Sequence, residues 1–298
     1  YLTNRLTDEA IGFVREHRGT PFFLYLPHYA VHTPIQAPDS LVALYRAKKP
    51  GDRHENPVYA AMLHNMDWNI GRLMDELELL NIRENTLVFF LSDNGGHGSI
   101  TSQYPLRGGK GMLYEGGIRV PFIISWPGMI RPGRVSDYPV IGTDIFPTMM
   151  DLLGLAIPKE MALDGISLKR LLLKGKEPDI RPIFWHFPAY LERYPGHTDV
   201  WRTTPVSVVR YGDWKLIEFF EDGRVELYNL ADDISERREI SERYPEKSLE
   251  LVRILHEWQL QTGAFIPGQR NPAFNQDSLD RARSRILQTI QDSIIYLP

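Results

Sequence analysis

Cysteine is absent from all 298 residues of the chain. That excludes structural disulfides, thiolate metal sites and a cysteine nucleophile within it, and it leaves the redox compartment open. An excess of one charge is lacking too. With 34 basic and 38 acidic residues the net charge is −4, so no polyanion-binding surface is signalled and nucleic acid is not an expected partner. No apolar run approaches the roughly 18 residues of a membrane span, and no signal peptide is visible. There is no Asn-x-Ser/Thr sequon, HExxH pair, EF-hand loop, GxSxG elbow or Gly-x-Gly-x-x-Gly loop. What is present is the composition of a folded globular protein, with 43% hydrophobic, 24% charged and 11% aromatic residues. The length suits one large domain or two ordinary ones.

The first residues carry Leu6, Ala10, Ile11, Phe13 and Val14 at helical spacing, with Thr3 or Thr7 as a cap. The chain therefore opens at or inside an amphipathic helix, as a fragment would. Two textures follow. Residues 1–178 alternate apolar runs with helical patterns, as an α/β sheet protein does. Phe22–Leu26 is expected as a buried strand, Thr86–Leu91 as a strand buried on both faces, and Phe122–Trp126 as a third strand. Tyr59–Leu80 reads as a helix with Met62, Met66, Ile70, Leu73, Met74 and Leu77 on its apolar face, and Ile145–Leu155 as another. Residues 179–298 change to short strands. Pro182–Trp185, Val206–Arg210, Trp214–Phe220 and Val225–Tyr228 are candidates, the last two joined by the turn Glu221-Asp222-Gly223-Arg224. A helix with Leu251, Ile254, Leu255 and Trp258 on one face should cover them, and a polar, weakly helical tail follows Pro267.

Chemistry concentrates in two glycine-rich stretches. Ser92-Asp93-Asn94-Gly95-Gly96-His97 follows a strand, where open α/β sheets bind ligands. Asp93 and Asn94 offer the hard oxygens that Ca²⁺ or Mg²⁺ requires, though only a minority of the six to eight or so that calcium takes. An ordinary Asn-Gly turn capping a helix accounts for the same residues. In Arg107-Gly108-Gly109-Lys110-Gly111 the spacing is not that of a Walker A loop. A lysine between glycines still suits an oxyanion, while a solvated loop lysine is the plain alternative. Glu115 and Arg119 read as a structural pair. His32, after the first strand, could donate a proton or bind an anion. His28, His54, His64 and His256 read as ordinary histidines. His186 in Trp185-His186-Phe187-Pro188, and less so His197 after Pro195-Gly196, lie in aromatic surroundings able to meet a sugar.

In their order, these stretches resemble the type I, formylglycine-dependent sulfatases of the alkaline-phosphatase-like superfamily. The matching segments are PFFLYLPHYAVHTPIQAP, SDNGG, PLRGGKGMLYEGGIRVPFIISWPG, TDIFPTMMDLLGL with DGISL, and GDWKLIEFFEDGRVELYNLADD. The resemblance implies an α/β sandwich with a central mixed sheet, incomplete here, over residues 1–178. A small C-terminal antiparallel sheet covered by a helix would follow over 179–298. It implies a sulfuric ester hydrolase acting on a sulfated carbohydrate or aryl sulfate, most like bacterial carbohydrate sulfatases and so periplasmic or extracellular. By the same resemblance Asp93 and Asn94 correspond to Ca²⁺ ligands, Lys110 to the lysine on the sulfate and bridging oxygen, and His32 to the histidine assisting the leaving group. His97 and His186 are candidate substrate contacts.

One departure is large. The family's nucleophile is a formylglycine made from the first residue of Cys/Ser-x-Pro-x-Arg, and no such pattern occurs. The nearest, Ser102-Gln103-Tyr104-Pro105-Leu106-Arg107, places its proline one position late. The paired aspartates that precede the motif are missing too. The expectation is a C-terminal portion whose nucleophile and remaining metal ligands lie in an absent N-terminal portion of the same protein. A phosphomonoester or phosphonate hydrolase of the superfamily and a non-catalytic pseudo-sulfatase are the alternatives.

Overall fold

In a computed structural model of the chain, residues 1–194, 197–269 and 272–295 are described, with side chains through 289. Pro195 and Gly196 thus lie outside the described residues. Two compact units form: unit 1 is 1–91 with 121–179, and unit 2 is 92–120 with 180–298. Among the described residues no helix is long and apolar enough to cross a membrane.

In unit 1, α1 (Leu2–His17) packs on α3 (Pro57–Leu79), with α2 (Asp39–Arg46) beside it. Asn56 caps α3, its side chain accepting from the backbone N–H groups of Val58 and Tyr59, and Pro57 fills the first helical position. The buried stripe of α3 keeps Met62 and Leu77 of the expected apolar face but is otherwise polar. Asn65 and Asn69 are buried, both donating 2.9 Å bonds to Asn4 Oδ1, and Glu76 takes a bidentate pair from Arg15 at 2.7 and 2.8 Å. Met66, Ile70, Leu73 and Met74 are only half-buried.

The strands of unit 1 also depart from expectation. Phe22–Leu26 forms no strand, its residues alternately half-buried and exposed, with Phe23 and Tyr25 more than 70% exposed. Only β1 (Val88–Leu91) and β2 (Phe122–Ser125) pair, antiparallel, with Phe89 opposite Ile124. Thr86–Leu91 is not buried on both faces: Val88, Phe89 and Phe90 are half-buried and Leu91 is exposed. A strand is enclosed only when neighbours lie on both edges and layers on both faces, and among the described residues β1 and β2 have only each other. The segments TDIFP and DGISL are stitched together around α5 (Ile145–Leu152) and α6 (Lys169–Lys174). The buried Asp144 carboxylate accepts from the backbone of Ile141 and Ile166, and Thr148 Oγ1 accepts from Leu168.

Unit 2 carries the expected small sheet: β3 (Pro182–Phe187), β6 (Val206–Tyr211), β7 (Trp214–Phe219) and β8 (Val225–Asn229), antiparallel in the order β3-β6-β7-β8. Gly212, at φ +62°, makes the tight β6–β7 turn, and Gly223, at φ +73°, the next one. Strand alternation splits the core. Val209, Leu216 and Leu227 face Leu251 and Leu255 of α7 (Pro245–Thr262). Val208, Ile217 and Tyr228 on the opposite face are covered by Leu113 and Tyr114. That second layer is why 92–120, which the sequence reading groups with the first region, packs with the C-terminal sheet. It includes the single turn α4 (Glu115–Ile118). A ribbon of β4 (Leu191–Glu192) and β5 (Trp201–Thr203), and the helix α8 (Gln276–Ile295), complete the unit.

Candidate active site

The two glycine stretches of unit 2 are joined backbone to backbone. Gly95 N–H donates to the Gly117 carbonyl at 2.9 Å, Lys110 N–H to Gly96 at 2.9 Å, and Gly116 N–H to Arg107 at 2.8 Å. A Cβ on Gly95 would run into the Gly116 carbonyl, and one on Gly117 into that of Met112. Neither obstacle is a movable side chain, so only glycine fits where these loops cross.

This joint sets the expected residues side by side. The Asn94 amide donates to Asp93 Oδ2, so the two side chains meet, and Ser92 Oγ donates to the Asn94 carbonyl at 3.0 Å. Lys110, half-buried, is fixed through its own N–H to the loop that bears Asp93 and Asn94. His97 lies on that loop, its Nδ1 sharing a 2.8 Å hydrogen bond with Ser99 Oγ and its ring 4.8 Å from that of Tyr194. The donor set of Asp93 and Asn94 has the chemistry of a hard cation site. Among the described residues no group of three or more His, Asp or Glu side chains could hold a metal.

Beneath the loops lies a charge cluster that sequence reasoning missed. Lys215 of β7 is fully buried, with its Nζ 3.0 Å from Glu115 Oε1 and 2.7 Å from Glu236 Oε1. Glu236 is fully buried as well, and its other oxygen accepts the Glu115 backbone N–H at 2.6 Å. Arg119 pairs with Glu115 at 3.3 Å, the structural role read from sequence. Burial pushes the Glu236 carboxyl above its ordinary range. Burial pushes Glu115 the same way, but the adjacent Lys215 ammonium outweighs it and holds that carboxyl below the ordinary range. Arg107 extends the fastening, donating to Tyr228 Oη at 2.9 Å and to the Glu236 carbonyl at 3.0 Å. The glycine loop is thereby anchored to the sheet through its first helical residue.

The other candidates are carried by other segments of the chain. His32 belongs to unit 1, exposed in a turn, where its Nδ1 lies 2.9 Å from the Thr33 carbonyl. His186 is a correction: its Nδ1 meets Ser207 Oγ at 2.6 Å and its Nε2 the Phe265 carbonyl at 3.0 Å, between the rings of Phe220 and Trp258. Both ring nitrogens are engaged inside the unit, which leaves neither for a sugar. His28, read as ordinary, is half-buried with no hydrogen-bond partner on either ring nitrogen among the described residues, and burial lowers its pKa.

Known proteins place this arrangement. The family model described as Sulfatase matches residues 1–155, and the one described as N-sulphoglucosamine sulphohydrolase, C-terminal, matches residues 109–262. A protein from Formosa agariphila named Sulfatase is 36% identical over 290 residues, covering 89% of this chain and 51% of that protein. The solved structure of Ps i-CgsB in complex with k-i-k-neocarrahexaose superposes with a TM-score of 0.75 at 29% identity, covering 96% of this chain and 59% of that one. The phosphonate monoester hydrolase of Agrobacterium radiobacter superposes less well, with a TM-score of 0.51 at 25% identity, covering 69% of this chain and 41% of that one. The chain spans about half the length of the relatives it matches. A match that takes in the joined glycine loops, and a relative this similar across most of the chain, make the conclusion plain: the chain belongs to the sulfatase family.

Proposed function

We propose that this chain forms the lysine-bearing half of a sulfuric ester hydrolase that removes sulfate from a sulfated carbohydrate. The observation that carries this is the mounting of Asp93, Asn94 and Lys110 on one backbone-joined pair of glycine loops. In this reading Asp93 and Asn94 hold part of a Ca²⁺ site. The ion's chemistry there is neutralisation of charge on sulfuryl oxygens. The Lys110 ammonium binds the sulfate, a fixed cation where negative charge accumulates. His32 supplies a proton to the bridging oxygen, so that the sugar leaves as an alcohol and not as an alkoxide. The nucleophile, a formylglycine by family resemblance, belongs to the portion of the relatives that this chain does not span. Residues 1–298 contain no Cys/Ser-x-Pro-x-Arg. The sugar substrate is favoured by the likeness to a structure solved with neocarrahexaose, and a periplasmic or extracellular location in a bacterium is part of the same proposal.

Sulfate and phosphate esters share tetrahedral geometry, and the phosphonate hydrolase likeness makes phosphoryl chemistry the second reading. Turnover of p-nitrophenyl sulfate and p-nitrophenyl phosphate by the intact protein separates the two. The sulfate ester should be preferred, and K110A and H32A should each lower its kcat/KM by about 100-fold or more. Preference for phosphate would install the second reading. Unchanged rates in both variants, or no ester turnover at all, would remove the site assignment.

A further inference from the structure

A second cation is built against the same loop from unit 2's own ribbon. Arg202, half-buried in β5, donates from Nη1 to the Lys110 carbonyl at 3.2 Å. Its neighbour Thr203 donates to the Gly111 carbonyl. Gly111 itself sits at φ +83°, and a Cβ there would run into Leu191 first and lie 3.3 Å from Arg202 Nε, so the glycine lets the loop backbone pass close to both side chains. That guanidinium also lies 5.5 Å from the centre of the Tyr194 ring, the ring that meets His97. Arg202 Nε is buried and has no hydrogen-bond partner among the described residues.

A buried N–H without an acceptor is costly, and an arginine kept only as a clamp would satisfy it. Here one arm of the fork is spent on the Lys110 backbone, and a charged donor is left unsatisfied beside the loop proposed to hold the sulfate ester. An oxyanion is the acceptor that a guanidinium matches best. The geometry points to Arg202 as a specificity residue that binds a second anionic group of the substrate, a sulfate or a carboxylate on the sugar next to the scissile ester. This rests on the sulfatase reading and narrows its substrate to sugars carrying more than one negative charge.

The test is calorimetric binding to the intact protein of three disaccharides: singly sulfated, doubly sulfated, and singly sulfated with a uronate carboxylate. The wild type should bind one or both dianionic sugars at least about tenfold more tightly than the singly sulfated one, and R202Q should lose that preference. Which dianionic sugar gains identifies the group bound. R202K keeps the charge but lacks the Nε donor, so it should lower the preference severalfold and serves if R202Q does not fold. Equal binding of all three sugars by the wild type, or an equal loss for all three in R202Q, would reduce Arg202 to a loop clamp and overturn the inference. Aryl-sulfate turnover, measured alongside, reports on the underlying reading separately. Turnover without an Arg202-dependent preference sinks this inference alone. Absent turnover sinks the sulfatase reading, while the binding preference still decides what Arg202 does.

Discussion

Units 1 and 2 both hold apolar runs of strand character, yet only unit 2 encloses them. In unit 2, Val208, Val209, Leu216 and Leu227 are all fully buried, because α7 covers one face of the sheet and the glycine-loop segment the other. In unit 1, Phe22–Leu26 has no strand partner, and β1 and β2 have only each other. An apolar run specifies that a segment wants burial, but the partners decide whether burial happens. Polarity follows the same division. Unit 2 buries an ion cluster under its joined glycine loops, whereas unit 1 joins α1 to α3 by asparagines and by Arg15, whose side chain is 61% exposed.

That contrast can be broken by substitution. Lys215→Met strands two buried carboxylates, and urea unfolding should show a loss of about 3–5 kcal/mol. Arg15→Met removes a guanidinium that is largely exposed although its partner Glu76 is buried, and should shift the midpoint less. Equal shifts would erase the distinction between the units. Gly95→Ala forces a methyl into the Gly116 carbonyl and should cost about 1–3 kcal/mol. Gly71, inside α3 with open space around its Cα, should behave oppositely, Gly71→Ala raising stability by about 0.5–1 kcal/mol. The smallest effect on stability is expected at the unpaired segment. F23T/Y25T should leave the unfolding midpoint within about 0.5 kcal/mol, yet reduce concentration-dependent self-association in light scattering, because Phe23 and Tyr25 expose large apolar rings on a segment without a strand partner.

Much of unit 2 was legible because its signals are local. Period-two runs bounded by Gly212 and Gly223 locate three strands, and Leu251, Leu255 and Trp258 locate the covering helix. Unit 1 was less so, since exposure of Phe23 and Leu91 depends on strands that no local pattern can supply. The α3 stripe misled for a related reason. Met62 and Leu77 are buried, but Met66, Ile70, Leu73 and Met74 between them are only half-covered, while Asn65 and Asn69 bond to an asparagine 61 and 65 residues away. In the site, Asp93, Asn94 and Lys110 were readable as oxygen donors and a cation among glycines. The joint that unites them was not, because backbone hydrogen bonds leave no side-chain signature beyond the glycines. Lys215 did leave one: it shares strand parity with Ile217 and Phe219, both on a buried face, so alternation alone places a lysine in the core. His186 misled because its aromatic neighbours signal a sheet–helix layer as readily as a sugar platform.

In the proposed reading Asp93 and Asn94 hold part of a Ca²⁺ site in the assembled protein. Calorimetric titration of Ca²⁺ into the chain, alongside D93A, puts that reading at risk. Two ligands of roughly six to eight predict weak binding, with Kd on the order of a millimolar, abolished in D93A. Binding that survives in D93A unchanged, or none in the unaltered chain at tens of millimolar or so, would contradict it.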